Sequence, residues 1–178
     1  VSAAMCGNRL LSDALVPVLG PAGLSRLSQD VLKVAGATDV LMLIGINDLG
    51  SAWTPRADEL INGMKTAIGQ FRQAGLRVIL GTLMPAKGAS TGSFYRTLGD
   101  RDIGFLHGRA SVDRVRNEIN SWIRQGGAAD GVVDFDAGMR DPQAPAYLRP
   151  DYDSGDHLHP NAKGYEAMAA CVDLSLFQ

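Results

Sequence analysis

Hydrophobic and polar positions follow two different periods along this chain, and the order in which they occur predicts the architecture. Asp39 to Ile46 reads DVLMLIGI, an apolar run too short for a typical helix and apolar on both faces, as in a strand buried within a parallel sheet. Arg77 to Leu83 (RVILGTL) and Gly131 to Phe135 (GVVDF) have the same character. Between them the period changes to three and four residues. Leu60, Ile61, Met64, Ala67, Ile68 and Phe71 form one stripe, Asp58, Glu59, Lys65 and Arg72 lie off it, and Gly75 closes the helix. A second amphipathic helix runs from about Ser111 to Arg124, with Val112, Val115, Ile119, Trp122 and Ile123 on one side and Gly126-Gly127 as its stop. Leu24 to Ala35 and Pro160 to Val172 complete the helices, the latter with Pro160 at its first position. Strand then helix, repeated with connections long enough for crossovers, predicts an α/β protein in three layers, with helices on both faces of a parallel sheet. Pro85 to Gly108 is glycine-rich and weakly periodic, so it reads as a long loop, either the rim of a site or a surface excursion.

Composition narrows the class. At 178 residues the chain is most simply one domain over 1–178, and its 46% hydrophobic and 20% charged residues are those of a globular protein. No apolar run reaches the 18 or so residues of a membrane span. A net charge of −2 supplies neither a basic footprint for nucleic acid nor a polybasic arm for anionic lipid. Two cysteines, Cys6 and Cys171, are too few for a disulfide scaffold. The first residues lack the basic start and long apolar stretch of a secretory signal, as a trimmed chain also would. The compartment, secreted or cytoplasmic, therefore stays open, as does the oligomeric state.

In an open parallel sheet, ligands bind beyond the carboxyl ends of the strands, where Gly45-Ile46-Asn47-Asp48 stands. Asn47 can aim an amide N–H at a substrate oxygen that gains negative charge during acyl transfer, or Asn47-Asp48 can simply form a turn. Asp48 reads as structural, bonding loop backbone N–H groups. The second feature is Asp156-His157-Leu158-His159-Pro160. An imidazole can take a proton from a hydroxyl and return it to a leaving group, and a carboxylate three residues earlier can fix its tautomer if the loop turns back. His157 and His159 could instead ligate a metal, but no C-x-x-C or H-E-x-x-H completes such a site. Two nucleophiles within the chain merit weighing. Gly88-Ala89-Ser90-Thr91-Gly92 fits G-x-S-x-G, although the elbow needs a strand running straight into a helix. Cys6 is a thiol whose reactivity would require a lowered pKa.

Taken together with their flanks, Gly7-Asn8-Arg9-Leu10-Leu11, Gly45-Ile46-Asn47-Asp48-Leu49-Gly50 and the run from Tyr152 to Tyr165 (YDSGDHLHPNAKGY) resemble, in order and spacing, three of the four sequence blocks of the SGNH hydrolases, the GDSL-type esterases and lipases. The resemblance implies a flavodoxin-like α/β/α sandwich and a Ser-His-Asp triad, with an oxyanion hole made by a serine N–H, a glycine N–H and an asparagine side chain. Carried over, Gly7 and Asn47 are the oxyanion donors, Asp156 and His159 the D-x-x-H pair, and His157 is not the base. No metal or organic cofactor is implied. The substrate class implied is a carboxylic ester, an acylated sugar or a short-chain lipid.

The match departs from the family in one respect: no Gly-Asp-Ser occurs in the sequence, and Ser154-Gly155-Asp156 reads as part of the D-x-x-H loop. The expectation is that the first strand and the nucleophile turn are missing from this chain and that an additional N-terminal polypeptide segment supplies both. That strand would be central, so without it the sheet would have a vacancy in its middle, with unpaired backbone groups and an apolar face exposed. The competing expectations are a non-catalytic binding module that has lost its nucleophile, and an α/β-hydrolase using Ser90.

Overall fold

A computed structural model describes residues 1–14, 17–51, 54–89, 106–126 and 129–177. Among these, three parallel strands lie side by side in chain order: β1 (Asp39–Met42), β2 (Arg77–Gly81) and β3 (Gly131–Val133). Val40 pairs with Val78 and Met42 with Leu80, while Ile79 pairs with Gly131 and Gly81 with Val133. The protein is α/β.

Period-two alternation divides the sheet between two apolar clusters. On one face Val40, Met42, Val78, Leu80 and Val132 meet α1 (Gly23–Leu27), α3 (Ala57–Gln73) and α4 (Ala110–Arg124) through Leu27, Leu60, Met64, Ile68, Phe71, Val112, Ile119 and Ile123. Leu60, Met64, Ile68 and Phe71 are buried, and each contributes roughly 1.5–3 kcal/mol by leaving water. On the other face Ile79 and Val133 pack with Phe135 of α5 (Phe135–Met139), Met168 of α6 (Ala162–Ala170), and Cys171, Val172, Leu176 and Phe177. That second layer covers β2 and β3 and leaves β1 uncovered. Leu41 and Leu43, on the same face as Ile79, are each 38% exposed.

Several boundaries differ from the sequence reading. The strand read as Asp39 to Ile46 ends at Met42, because Gly45 (φ 126°) turns the chain into the short helix α2 (Ile46–Leu49). An added Cβ at Gly45 would also lie 2.9 Å from Leu60. Phe135 opens α5 instead of ending a strand, since Asp134 accepts a hydrogen bond from the Ala137 N–H and caps a new helix. The helix read as Leu24 to Ala35 widens into a π-helical turn over Ser28–Leu32. Pro160 lies outside α6; it bridges Asp153, and Asn161 is the cap, accepting from the Gly164 N–H. Finally, no gap lies in the middle of the described sheet, against the expectation of a central vacancy: β1 is its outermost strand, and no strand lies beyond it among the described residues.

A buried polar network fixes the end of β2. Arg116, 1% exposed, donates to Asp136 (2.7 Å), Asp113 (2.7 Å) and the Leu83 carbonyl (3.0 Å). Asn120 holds the Leu83 N–H (2.7 Å) and carbonyl (2.8 Å). With every charge paired and bonded, the cost of burying the ions is offset, and the chain leaves the sheet at one fixed point.

Candidate active site

The loop before α6 carries two Asp–His pairs. Asp156 Oδ2 lies 2.6 Å from His159 Nδ1, and Asp156 Oδ1 accepts from the N–H groups of Leu158 (2.9 Å) and His159 (2.8 Å) and from the Ser154 hydroxyl (3.0 Å). Partial burial pushes the Asp156 carboxyl up. The N–H and ring of His159, the Leu158 N–H and the Ser154 hydroxyl outweigh that and hold it well below the usual carboxylate range. The carboxylate is therefore ionised and pinned, and it occupies Nδ1 of His159. The imidazole is 60% exposed, so Nε2 is the nitrogen available for proton exchange with a bound molecule. Ser154 serves the loop as a ligand of Asp156.

His157 belongs to a separate pair. Its Nδ1 lies 2.5 Å from Asp153 Oδ2, its N–H donates to Asp153 Oδ1 (3.0 Å), and it adopts a left-handed φ of 62°. Its ring lies against Gly88, where an added Cβ would stand 3.5 Å from it.

At the opposite end of the sequence, Gly7 (φ 65°) turns the chain into Asn8, whose buried amide donates to the carbonyls of Leu19 (3.0 Å) and Pro21 (2.8 Å) and accepts from Arg26 (2.9 Å). Asp48 then ties this segment to α2, its carboxylate accepting from the N–H groups of Leu10 (2.8 Å) and Leu11 (2.9 Å). Burial pushes the Asp48 carboxyl up, against the pull of those two N–H groups and of Arg9. The structural reading of Asp48 thus matches its contacts. Its neighbour Asn47 donates from Nδ2 to the Asn8 carbonyl (3.1 Å). Gly7-Asn8 and Asn47, 39 residues apart, are thereby brought together off the carboxyl end of β1, where a parallel sheet places its ligands.

Sequence reasoning missed His107. It stands three residues before α4 and is 1% exposed. Its Nε2 lies 3.3 Å from Asn47 Oδ1. Burial is the main cause that lowers its pKa to about 4, with electrostatic repulsion from Arg9 adding to it and Asp156 opposing. His107 therefore contacts Asn47 Oδ1 through Nε2, beside the carboxyl end of β1. The available signal was a lone histidine at the boundary between an aperiodic stretch and a strong helical pattern, and tertiary packing alone gives it meaning.

Of the two nucleophiles weighed within the chain, Cys6 is exposed beside Gly7, and Ser90, Thr91 and Gly92 lie outside the described residues. Along β1 runs an open groove of ≈ 900 Å³ whose lining includes Leu41, Leu43, Asn47, Phe135 and Met168. No cluster of three or more His, Cys, Asp or Glu side chains suited to a metal ion occurs among the described residues. None of their helices is long and apolar enough to cross a membrane.

The family profile of the GDSL-like Lipase/Acylhydrolase family matches residues 1–167. The chain belongs to that family. Solved structures with the same fold include a GDSL-like lipase from Bacteroides thetaiotaomicron, 19% identical, with a TM-score of 0.64 over 86% of this chain and 68% of that one. A carbohydrate esterase family 3 protein from Talaromyces cellulolyticus is 19% identical, with a TM-score of 0.55 over 89% and 69%. An acetylxylan esterase from Geobacillus stearothermophilus is 18% identical, with a TM-score of 0.55 over 85% and 64%. A comparison with curated protein sequences finds no match. Within this GDSL-type chain, the segments that carry the candidate site residues, Gly7–Leu11, Gly45–Gly50 and Asp153–Asn161, all lie in the matched span.

Proposed function

We propose that this chain carries the acid–base and oxyanion parts of a carboxylic ester hydrolase that works by Ser-His-Asp acyl transfer, the serine being borne on a further N-terminal strand that pairs with the free edge of β1. The observation that carries this reading is the Asp156–His159 pair, with the carboxylate on Nδ1 and the ring exposed, in a chain whose Asn47 stands beyond the carboxyl end of β1; acyl transfer needs a base and oxyanion donors about one carbon. The vacant edge of β1 and the apolar groove beside it, with Leu41 and Leu43 exposed, support the added strand.

In the proposed reaction, His159 Nε2 takes the serine proton as the serine oxygen bonds to the ester carbon. The carbonyl electron pair moves onto oxygen, and that oxyanion accepts from the Gly7 N–H and from the Asn47 N–H not engaged by Asn8. Asp156 stabilises the imidazolium and holds its tautomer. Collapse of the intermediate breaks the bond to the alcohol, which leaves with the proton from His159, and water then repeats the sequence to release the acid. None of these steps calls for a metal or organic cofactor. The substrate proposed is a small ester, with an acylated sugar favoured by the acetylxylan esterase among the similar folds and a short-chain lipid as the other class.

Labelling the protein that includes the β1-pairing strand with a serine-directed fluorophosphonate, followed by peptide mass spectrometry, tests the proposal. The expected result is one labelled serine on that strand, with labelling lost in His159→Ala. Labelling at Ser90 would replace this assignment with an α/β-hydrolase type of nucleophile, and a complete absence of labelling would favour a binding module.

A further inference from the structure

Resting on that esterase reading, we infer that His107 is a positioning residue that fixes which end of the Asn47 carboxamide faces the reacting carbonyl. The two ends of a carboxamide have nearly the same shape and opposite hydrogen-bonding character. A flipped Asn47 would present an oxygen to the developing oxyanion and repel it. Two contacts specify the orientation from both sides. The Asn8 carbonyl only accepts, and it lies 3.1 Å from Asn47 Nδ2; His107 Nε2 lies 3.3 Å from Asn47 Oδ1 and donates to it in the tautomer this inference requires, with the ring proton on Nε2. A flip would set the amide NH₂ against the His107 N–H and Oδ1 against the Asn8 carbonyl, replacing two hydrogen bonds with two repulsions.

The seat of the ring is built for it. Gly50 follows α2 in ordinary helical geometry (φ −76°, ψ −2°), so its backbone would tolerate a side chain. A Cβ there would nevertheless stand 2.2 Å from His107 Nε2 and 2.3 Å from both ring carbons beside it. The Leu106 N–H donates to the Gly50 carbonyl at 2.7 Å, anchoring the chain just before the histidine to the same helix end that carries Asn47. Burial keeps the imidazole uncharged, which also suits the reaction, because a second cation here would oppose the positive charge that His159 takes up during acyl transfer.

Two measurements decide the matter. By ¹⁵N NMR on this chain, the His107 proton should reside on Nε2, and the Asn47 side-chain amide resonances should move in His107→Ala and return in His107→Gln, whose amide can donate from a similar place. A proton on Nδ1, or Asn47 resonances indifferent to His107→Ala, would overturn the inference even if no esterase activity is ever found. In the esterase-active protein, His107→Ala should lower kcat by at least about tenfold, approaching the roughly 10²–10³-fold loss of a deleted oxyanion donor, with KM nearly unchanged and with recovery in His107→Gln. Gly50→Ala, which displaces the ring without touching it chemically, should reproduce the loss. Should His107→Ala fail to fold, the Gln variant, Gly50→Ala and the wild-type tautomer still decide; normal kcat in Gly50→Ala with a displaced ring would overturn the positioning role.

Discussion

At the scale of single residues, the candidate site separates groups that the proposed reaction would use from neighbours of the same type that serve the backbone. Asn47 and Asp48 are adjacent, yet Asp48 is sunk onto the Leu10 and Leu11 N–H groups while Asn47 bonds the Asn8 carbonyl through one amide proton and, in the proposed reaction, offers the other to the oxyanion. In the proposed esterase, Asn47→Ala should lower kcat about 10²–10³-fold and change KM far less, because the oxyanion exists only in the transition state; steady-state kinetics check this. His157 and His159 contrast in the same way. His157→Ala should leave kcat within a few fold, since its ring is bonded to Asp153 and packs on Gly88, whereas His159→Ala should remove most turnover and fluorophosphonate labelling. His107 also imposes a pH dependence on folding. Its pKa is about 4 in the folded protein and 6.5 when unfolded, so the unfolded chain binds the proton first. The stability present above pH 6.5 should decline as pH falls towards 4, by up to about 3 kcal/mol from this group. Urea titrations at stepped pH should show that decline and its absence in His107→Gln.

At the scale of elements, α4 fixes the carboxyl end of the central strand. Arg116 reaches from its buried face to Leu83 and Asp136 and sets where β2 ends. Arg116→Met should cost stability near the lower end of the roughly 3–5 kcal/mol typical of breaking a buried pair, because Arg124 still bonds Asp136. Chemical denaturation measures it. Strand β1 behaves oppositely. Its outer row of backbone groups has no strand beside it among the described residues, and Leu41 is more than a third exposed. Leu41→Lys should therefore change the stability of this chain by only about 0.5 kcal/mol, while sharply reducing fluorophosphonate labelling of the protein that includes the proposed strand. Equal labelling in the two would count against pairing at that edge.

For the whole molecule, the amino-acid pattern alone determined the α/β class, the three strands, the two long helices and the reach of Asp156 to His159. Each of those features is written locally, in a buried apolar run, a stripe of period 3.6, or a D-x-x-H turn whose carboxylate reaches its own loop. The α3 stripe from Leu60 to Phe71, for example, reads as it packs. Features that depend on distant partners were decided only by tertiary structure. Met42 ends a strand that the apolar run continues to Ile46, because Gly45 bends and Leu60 crowds it. Asp136 and Arg116, 20 residues apart, become a buried pair only when β3 and α4 meet. His107, an isolated histidine in sequence, gains its place from Gly50 and Asn47, 57 and 60 positions away. Periodicity records which face of an element is buried; it carries no information about which side chain waits on the other side, and that is the reason the layout was legible and the contacts that hold Asn47 were not.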